Sequence, residues 1–188
     1  SIENMMDRLT YLGYYGSEIE SVINVKKKNV SVSYNITLGK RFPIKDIEII
    51  LPSEGTFADD FLADTSAMTV KVGDFLSEDI LENETVRASA SLRNMGYYEF
   101  SKNNFFFEAD TLSCPDSAIL KMTVNGYTRN ETPDRTRTIS RFTFNEVNIS
   151  YPQTLKIREK ILKELTTIRP GETYSTDVVN NTYTRLSS

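Results

Sequence analysis

The sequence predicts an α+β chain made of small tandem β-α-α-β-β repeats. Three observations carry this: a strand-like block that recurs 100 residues on, a helix-start block that recurs, and a Gly-Tyr-Tyr closure that occurs twice. Internal repetition at a fixed spacing is the signature of an array of similar units.

The strand block comes first. Phe42, Ile44, Ile47, Ile49, Leu51 and Pro52 recur as Phe142, Phe144, Val147, Ile149, Tyr151 and Pro152. Ile47, Ile49 and Leu51 alternate, as do Val147, Ile149 and Tyr151, which is the period of a strand. The phase slip after Ile44 or Phe144 predicts a bulge or bend, and the proline, which cannot donate to a ladder, stops the strand.

The helices follow. Gly73-Asp74-Phe75-Leu76-Ser77-Glu78-Asp79-Ile80 is echoed by Gly171-Glu172-Thr173-Tyr174-Ser175-Thr176-Asp177-Val178. Each reads as a helix start, with Ser77 or Ser175 accepting from the first free N–H groups and acids complementing the positive helix end. Leu12-Gly13-Tyr14-Tyr15 and Met95-Gly96-Tyr97-Tyr98 close helical patterns. Ile2, Met5, Met6, Leu9 and Leu12 precede the first, and Ile80, Leu81, Ala88, Leu92 and Met95 the second. Glycine suits the left-handed position that ends such helices, and the tyrosines would pack the helix end onto a sheet. An earlier helix falls within Ser53 to Val72, around Thr56 to Ala63.

Two strand-like stretches follow each Gly-Tyr-Tyr: Ser17 to Val25 and Asn29 to Leu38, joined by Lys26, Lys27 and Lys28, then Asn104 to Ala109 and Ala118 to Val124, joined around Cys114 and Pro115. The predicted organisation is residues 1–40 as the C-terminal part of a repeat, 41–128 as a complete repeat, 129–140 as a linker, and 141–188 as the N-terminal part of a further repeat. The linker lies in the polar interval Gly126 to Ser140, with Asn130, Thr132, Pro133 and Asp134. The chain reads as a piece of a longer protein.

Composition narrows the function. The net charge of −4 supplies no basic field for a nucleic acid, and no segment approaches the ~18 apolar residues of a membrane-spanning helix. No histidine occurs, which removes the usual general base and the commonest transition-metal ligand. The one cysteine, Cys114, cannot close an internal disulfide and reads as a turn residue. No catalytic residue, cofactor site or metal site is predicted. Asp59, Asp60 and Asp64, and likewise Glu78 and Asp79, lack the glycine-punctuated loop of a calcium hand and read as solvated helix faces or helix-start acids. Asn35-Ile36-Thr37 matches a glycosylation triplet, a pattern frequent by chance.

These residues together resemble the polypeptide-transport-associated (POTRA) repeats of BamA/TamA-type outer-membrane protein assembly factors. The features shared are the β-α-α-β-β order, the run Tyr34 to Gly39 into Ile44 to Leu51, and Gly-Asp before a capped helix. Gly96-Tyr97-Tyr98, and Arg185-Leu186-Ser187 after Pro170-Gly171-Glu172 and Tyr174-Ser175, belong to the same likeness. The resemblance implies that each repeat is a three-stranded mixed sheet of order 1-3-2, covered on one face by two helices, with the second strand at an edge. It further implies a non-enzymatic periplasmic arm of an outer-membrane protein. Its partners would be unfolded or nascent outer-membrane proteins and accessory assembly lipoproteins, and a C-terminal membrane barrel would be attached.

By that order the partner-binding candidates are Asn104, Phe105, Phe106, Phe107 and Glu108, because an edge strand has unpaired N–H and C=O groups to which an extended peptide can add. Alternatively, Phe105 and Phe107 are core and Phe106 rests against a neighbouring unit. Similar modules could also serve as spacers or docking pieces of an envelope or division protein with no substrate role. Alternating, aromatic-girdled segments downstream would favour the first function and a single hydrophobic helix the second.

Overall fold

The computed structural model describes residues 1–52, 56–128, 136–137, 139–151 and 158–187. In chain order the elements are α1 (Ile2–Tyr11), β1 (Glu18–Lys26), β2 (Asn29–Thr37), β3 (Ile44–Ile50), α2 (Thr56–Asp64), α3 (Glu78–Asn94), β4 (Phe105–Asp110), β5 (Ala118–Val124), β6 (Tyr127–Thr128), β7 (Thr136–Arg137), α4 (Glu159–Leu165) and α5 (Thr176–Ser187). The fold is α+β with open sheets. Its middle stretch, β3-α2-α3-β4-β5, has the predicted order.

The chain divides into two compact units. One comprises Ser1–Leu51, Ala67–Thr85 and Phe105–Val124, and the other Pro52–Ser66, Val86–Asn104 and Asn125–Ser188. The first unit holds the three-stranded sheet, ordered β3-β5-β4. β3 runs parallel to β5 with a register shift between Ile44 and Asp46, where the sequence period slips, and β4 runs antiparallel to β5. The sheet is therefore mixed, in the order 1-3-2.

Alternation decides what this sheet buries. Along β5, Ala118, Leu120, Met122 and Val124 are buried while the residues between them are half-exposed, as expected for successive side chains on opposite faces. Ile44, Val70, Leu76, Ala118 and Leu120 form a core against which Phe42, Ile47, Ile80, Leu81 and Phe107 pack. The first turn of α3 thus contributes Ile80 and Leu81 to this core. Glu84 is 1% exposed, and its carboxylate accepts from the Thr69 amide and hydroxyl, both at 2.7 Å, as a buried polar group requires.

The β1–β2 ribbon, also in the first unit, is paired residue for residue from Glu18↔Thr37 to Lys26↔Asn29. Lys27 and Lys28 make its turn, with Lys27 at φ +53°. The register puts Ile19, Ile23, Val25, Val30, Val32, Tyr34 and Ile36 on one face and Glu18, Glu20, Asn24, Ser31, Ser33 and Asn35 on the other. The apolar face is largely exposed, with Ile23 at 63% and Val25 at 67%.

In the second unit, Phe57 and Phe61 of α2 are buried, and Phe57 meets the rings of Tyr97 edge-on at 5.1 Å and of Phe100 at 5.5 Å. Residues 142–151 differ from the expected strand. Thr143 alone bridges, to Thr173, and among the described residues no strand runs beside 145–151. An alternating pattern becomes a strand only with a ladder partner, the role β5 plays for β3. Pro152 and most of the predicted linker 129–140, including Asn130, Thr132, Pro133 and Asp134, lie outside the described residues. The two-residue ladder Tyr127↔Arg137, Thr128↔Thr136 enters that interval where irregular chain was predicted.

Candidate docking edge and the repeated joint

β4 is an edge strand: β5 is its neighbour on one side, and among the described residues no strand pairs with its other side. The register Phe105↔Val124, Phe106↔Thr123, Phe107↔Met122 and Glu108↔Lys121 sorts its side chains. Phe105 is 8% exposed and Phe107 packs on the core. Phe106, on the opposite face, is 56% exposed, and Glu108 pairs with Lys121 at 3.2 Å. Across the three strands the outer face is acidic at Asp46, Glu48, Glu108 and Asp110, and apolar along Ile50 and Phe106.

Asn104 is not on this ladder. It ends the 3-10 turn Lys102–Asn104, where its Oδ1 accepts from the Ser101 amide at 3.0 Å and its Nδ2 donates to the Asn125 carbonyl at 3.1 Å. Its role is to set the strand's entry. At the other end the Asp110 carboxylate accepts from the Leu112 and Ser113 amides. Hydrogen bonds from the Ser113 hydroxyl, then from those two amides, hold its pKa below the ordinary value. Cys114 lies in the turn that follows.

The Gly-Tyr-Tyr closures build a joint that occurs twice, once within each compact unit. In the first unit, Gly13 at φ +84° allows α1 to end where a side chain would overlap the Leu76 carbonyl. Tyr14 N–H then reaches the Leu9 carbonyl at 2.9 Å, a glycine helix stop. In the second unit Gly96 takes φ +106°, and a side chain there would come 2.7 Å from Thr173. Tyr97 N–H reaches the Leu92 carbonyl at 3.0 Å.

The surroundings repeat as well. Tyr15 meets Phe42 at 5.9 Å between ring centroids, and Tyr98 meets Phe142 at 6.0 Å. Arg41 lies over Tyr14 at 4.9 Å and Arg141 over Tyr97 at 5.9 Å. Leu76 N–H donates to Phe42, Gly73 to Ile44 and Ile44 to Asp74. At matching positions Tyr174 donates to Phe142, Gly171 to Phe144 and Phe144 to Glu172. The arginines were not singled out by the pattern reading, although each directly precedes a matched phenylalanine.

Each joint adds its own ties. At the first, Tyr11 hydroxyl donates to Glu82 at 3.0 Å. At the second, Asn94 Nδ2 donates to Asp177 at 2.7 Å, while its Oδ1 accepts from the Asp177 amide and the Ser175 hydroxyl. Here too the Asp60 carboxylate accepts from Tyr97 hydroxyl at 2.5 Å and from Arg141, whose Nε lies at 3.0 Å. Burial pushes the Asp60 carboxyl up. The bonds from Tyr97 and Arg141, with the charge of Arg141, outweigh this and hold its pKa below the ordinary value.

Asp60 and Asp64 therefore depart from the expected solvated helix face, since Asp64 pairs with Arg87 at 2.9 Å and accepts from Ser91. Among the described residues no three His, Cys, Asp or Glu side chains could share a metal ion, and no helix is long and apolar enough to cross a membrane.

No protein-family model matches the sequence, and no curated protein does. Solved structures do. The chain is similar to the crystal structure of Haemophilus influenzae BamA POTRA3-5, with a TM-score of 0.53 at 15% identity over 99% of this chain and 66% of that one. It thus spans just under two thirds of that structure's length. A second likeness, to BamA from Haemophilus ducreyi lacking POTRA domains 1-3, has a TM-score of 0.38 at 13% identity over 66% of this chain and 22% of that one. With the β-α-α-β-β order and the 1-3-2 mixed sheet in place, the first likeness, which runs along nearly the whole chain, gives this protein a POTRA-like fold.

Proposed function

We propose that this chain is a periplasmic protein-interaction arm that binds and guides substrate polypeptides or accessory proteins in outer-membrane protein assembly, and that β4 is where extended chain docks. The observation that carries the reading is the edge of β4, which no strand among the described residues pairs, with Phe106 standing exposed beside it. A peptide laid along that edge gains main-chain hydrogen bonds whatever its sequence, and Phe106 offers grip to alternate apolar side chains. In the same reading, residues 1–40 and 141–188 are the C-terminal and N-terminal parts of flanking repeats. The exposed apolar face of β1–β2 and the strand pattern of residues 145–151, which no strand among the described residues pairs, support that division.

Affinity at one edge is weak. Each main-chain bond contributes a net ~0.5–1.5 kcal/mol, and ordering the peptide costs ~1–2 kcal/mol per residue. The terms nearly cancel, and several linked units raise avidity through effective concentration. The test is to titrate the isotope-labelled chain with an extended peptide of alternating apolar residues and follow amide shifts. Shifts centred on Phe105–Asp110 support the reading, whereas shifts confined to the helices contradict it. A second reading, a spacer without a substrate role, is favoured by the repeated joint, and absence of any saturable shift would support it.

A further inference from the structure

We infer that this chain binds a second copy of itself head to tail: residues 145–151 of one copy add as a parallel strand to β2 of the other, and the apolar face of that copy's β1–β2 ribbon seats in the hollow beside them. The inference rests on the division into parts of flanking repeats proposed above and makes no use of the edge of β4.

Both surfaces are open. Every residue of β2 is exposed, and among the described residues no strand pairs with its outer side. Val32, Tyr34 and Ile36 of its apolar face are 47–48% exposed, and Leu38 beyond them is 56% exposed. Residues 145–151 make no backbone hydrogen bond to the described residues, although Val147, Ile149 and Tyr151 alternate as a strand requires. With Lys160 and Lys163 of α4 and with Ile168, those three line an open hollow of about 1210 Å³.

The middle of the chain is the template for what covers such a strand. β3 pairs parallel with β5, Ile47 opposite Leu120 and Ile49 opposite Met122. Val147 and Ile149 stand for Ile47 and Ile49 at an offset of 100 residues. Val32, Tyr34, Ile36 and Leu38, ahead of Gly39, stand for the buried Ala118, Leu120, Met122 and Val124, ahead of Gly126. The same register sets Val147 opposite Tyr34 and Ile149 opposite Ile36. One contact thus removes an exposed apolar face and two unpaired ladders together. Because the donor and acceptor surfaces differ, the contact is heterologous.

One helical turn has to yield. Counted back from Gly13 and Gly96, residues 2–6 correspond to residues 85–89 of α3, and counted on from Ser175 and Ser77, so do residues 183–187. The joined copies therefore hold two turns for one place. Among the described residues α1 buries no side chain and α5 only Thr182, so a terminal turn opens at low cost.

The test is sedimentation of the 188-residue chain from about 10 μM to about 1 mM, where contacts of micromolar to millimolar strength are read. The mass should climb above 21.4 kDa. The double variant Val32→Lys/Ile36→Lys places charge on exposed acceptor positions, and Ile149→Pro removes a donor N–H from the added strand. Each should melt as the wild type and hold at monomer mass over the whole range. Mixed in equal amounts, they retain one intact donor and one intact acceptor and should form a complex of two copies. Hydrogen exchange of the unaltered chain reads the contact without any variant: as concentration rises, β2 amides should gain protection while residues 2–6 or 183–187 lose it. A chain that stays at monomer mass, self-association that persists in Ile149→Pro, folded variants that do not pair when mixed, or β2 exchange independent of concentration would overturn the inference. None of these outcomes bears on peptide docking at β4, which its own titration tests.

Discussion

The Tyr97 hydroxyl donates to the Asp60 carboxylate at 2.5 Å, linking the closure of α3 to α2 across 37 positions of sequence. Tyr97 is fully buried, and Arg141 joins the same carboxylate. Tyr97→Phe leaves that acceptor short of a donor and is expected to cost about 1–2 kcal/mol in urea unfolding, with Asp60→Ala costing about 2–3 kcal/mol.

The same contact predicts a pH dependence. The Asp60 pKa is lowered in the folded chain from an ordinary 3.8, so its contribution is fully present above that value and is lost as pH falls through the lower folded value. Tyr97 is raised from 10.0, first by burial and then by its bond to Asp60. Its contribution is present below pH 10 and is lost as pH rises through the folded value. Unfolding midpoints should therefore fall below about pH 4 in the native sequence, and the acid limb should be shallower in Asp60→Asn. Identical acid limbs would exclude this role for Asp60.

Gly13 and Gly96 occupy the left-handed region at the two joints, each against a neighbour that a Cβ would displace. Gly96→Ala is expected to destabilise by at least about 1–2 kcal/mol. Gly73→Ala, also at positive φ but with open space around it, should cost less, because the steric part is absent. Thermal melts of the two variants compare the terms directly.

Asn94 supports the start of α5 with three hydrogen bonds. Asn94→Ala should lower stability by about 1–2 kcal/mol and accelerate hydrogen exchange at Asp177 and Val178 more than in β5. Unchanged exchange at these amides would show that α5 is held by other contacts.

Much of this architecture is legible in sequence because it rests on local period and punctuation. Ile47, Ile49 and Leu51 announce β3, Ser77 the start of α3, and Gly13 and Gly96 the ends of α1 and α3. The bulge after Ile44 follows from the same phase slip. The recurrence of Arg41 at Arg141 was visible too, but an arginine beside a strand has no distinctive pattern, and its stacking on Tyr14 or Tyr97 depends on residues tens of positions away. Asp60 reads as surface for the same reason. Residues 145–151 have a strand's pattern and, among the described residues, no ladder partner, a condition that periodicity cannot report. Asn104 fell at a boundary, where the 3-10 turn and the strand differ by a single residue.

Phe105 and Phe106 separate packing from docking. Phe105→Ala removes a ring that is 8% exposed and should cost about 3–4 kcal/mol, whereas Phe106→Ala, at 56% exposed, should stay within about 0.5 kcal/mol. Peptide binding should show the opposite sensitivity, with Phe106→Ala weakening it in a fully folded chain.

The most direct measurement of docking at β4 is hydrogen exchange of its amides with and without an extended peptide, set beside a peptide N-methylated at alternate residues. N-methylation keeps the side chains and removes the backbone donors. If extended chain adds to this edge, the β4 amides that point away from β5 gain protection with the unmodified peptide and lose that gain with the N-methylated one. Equal protection by both peptides, or protection confined to the helices, would contradict strand addition at β4.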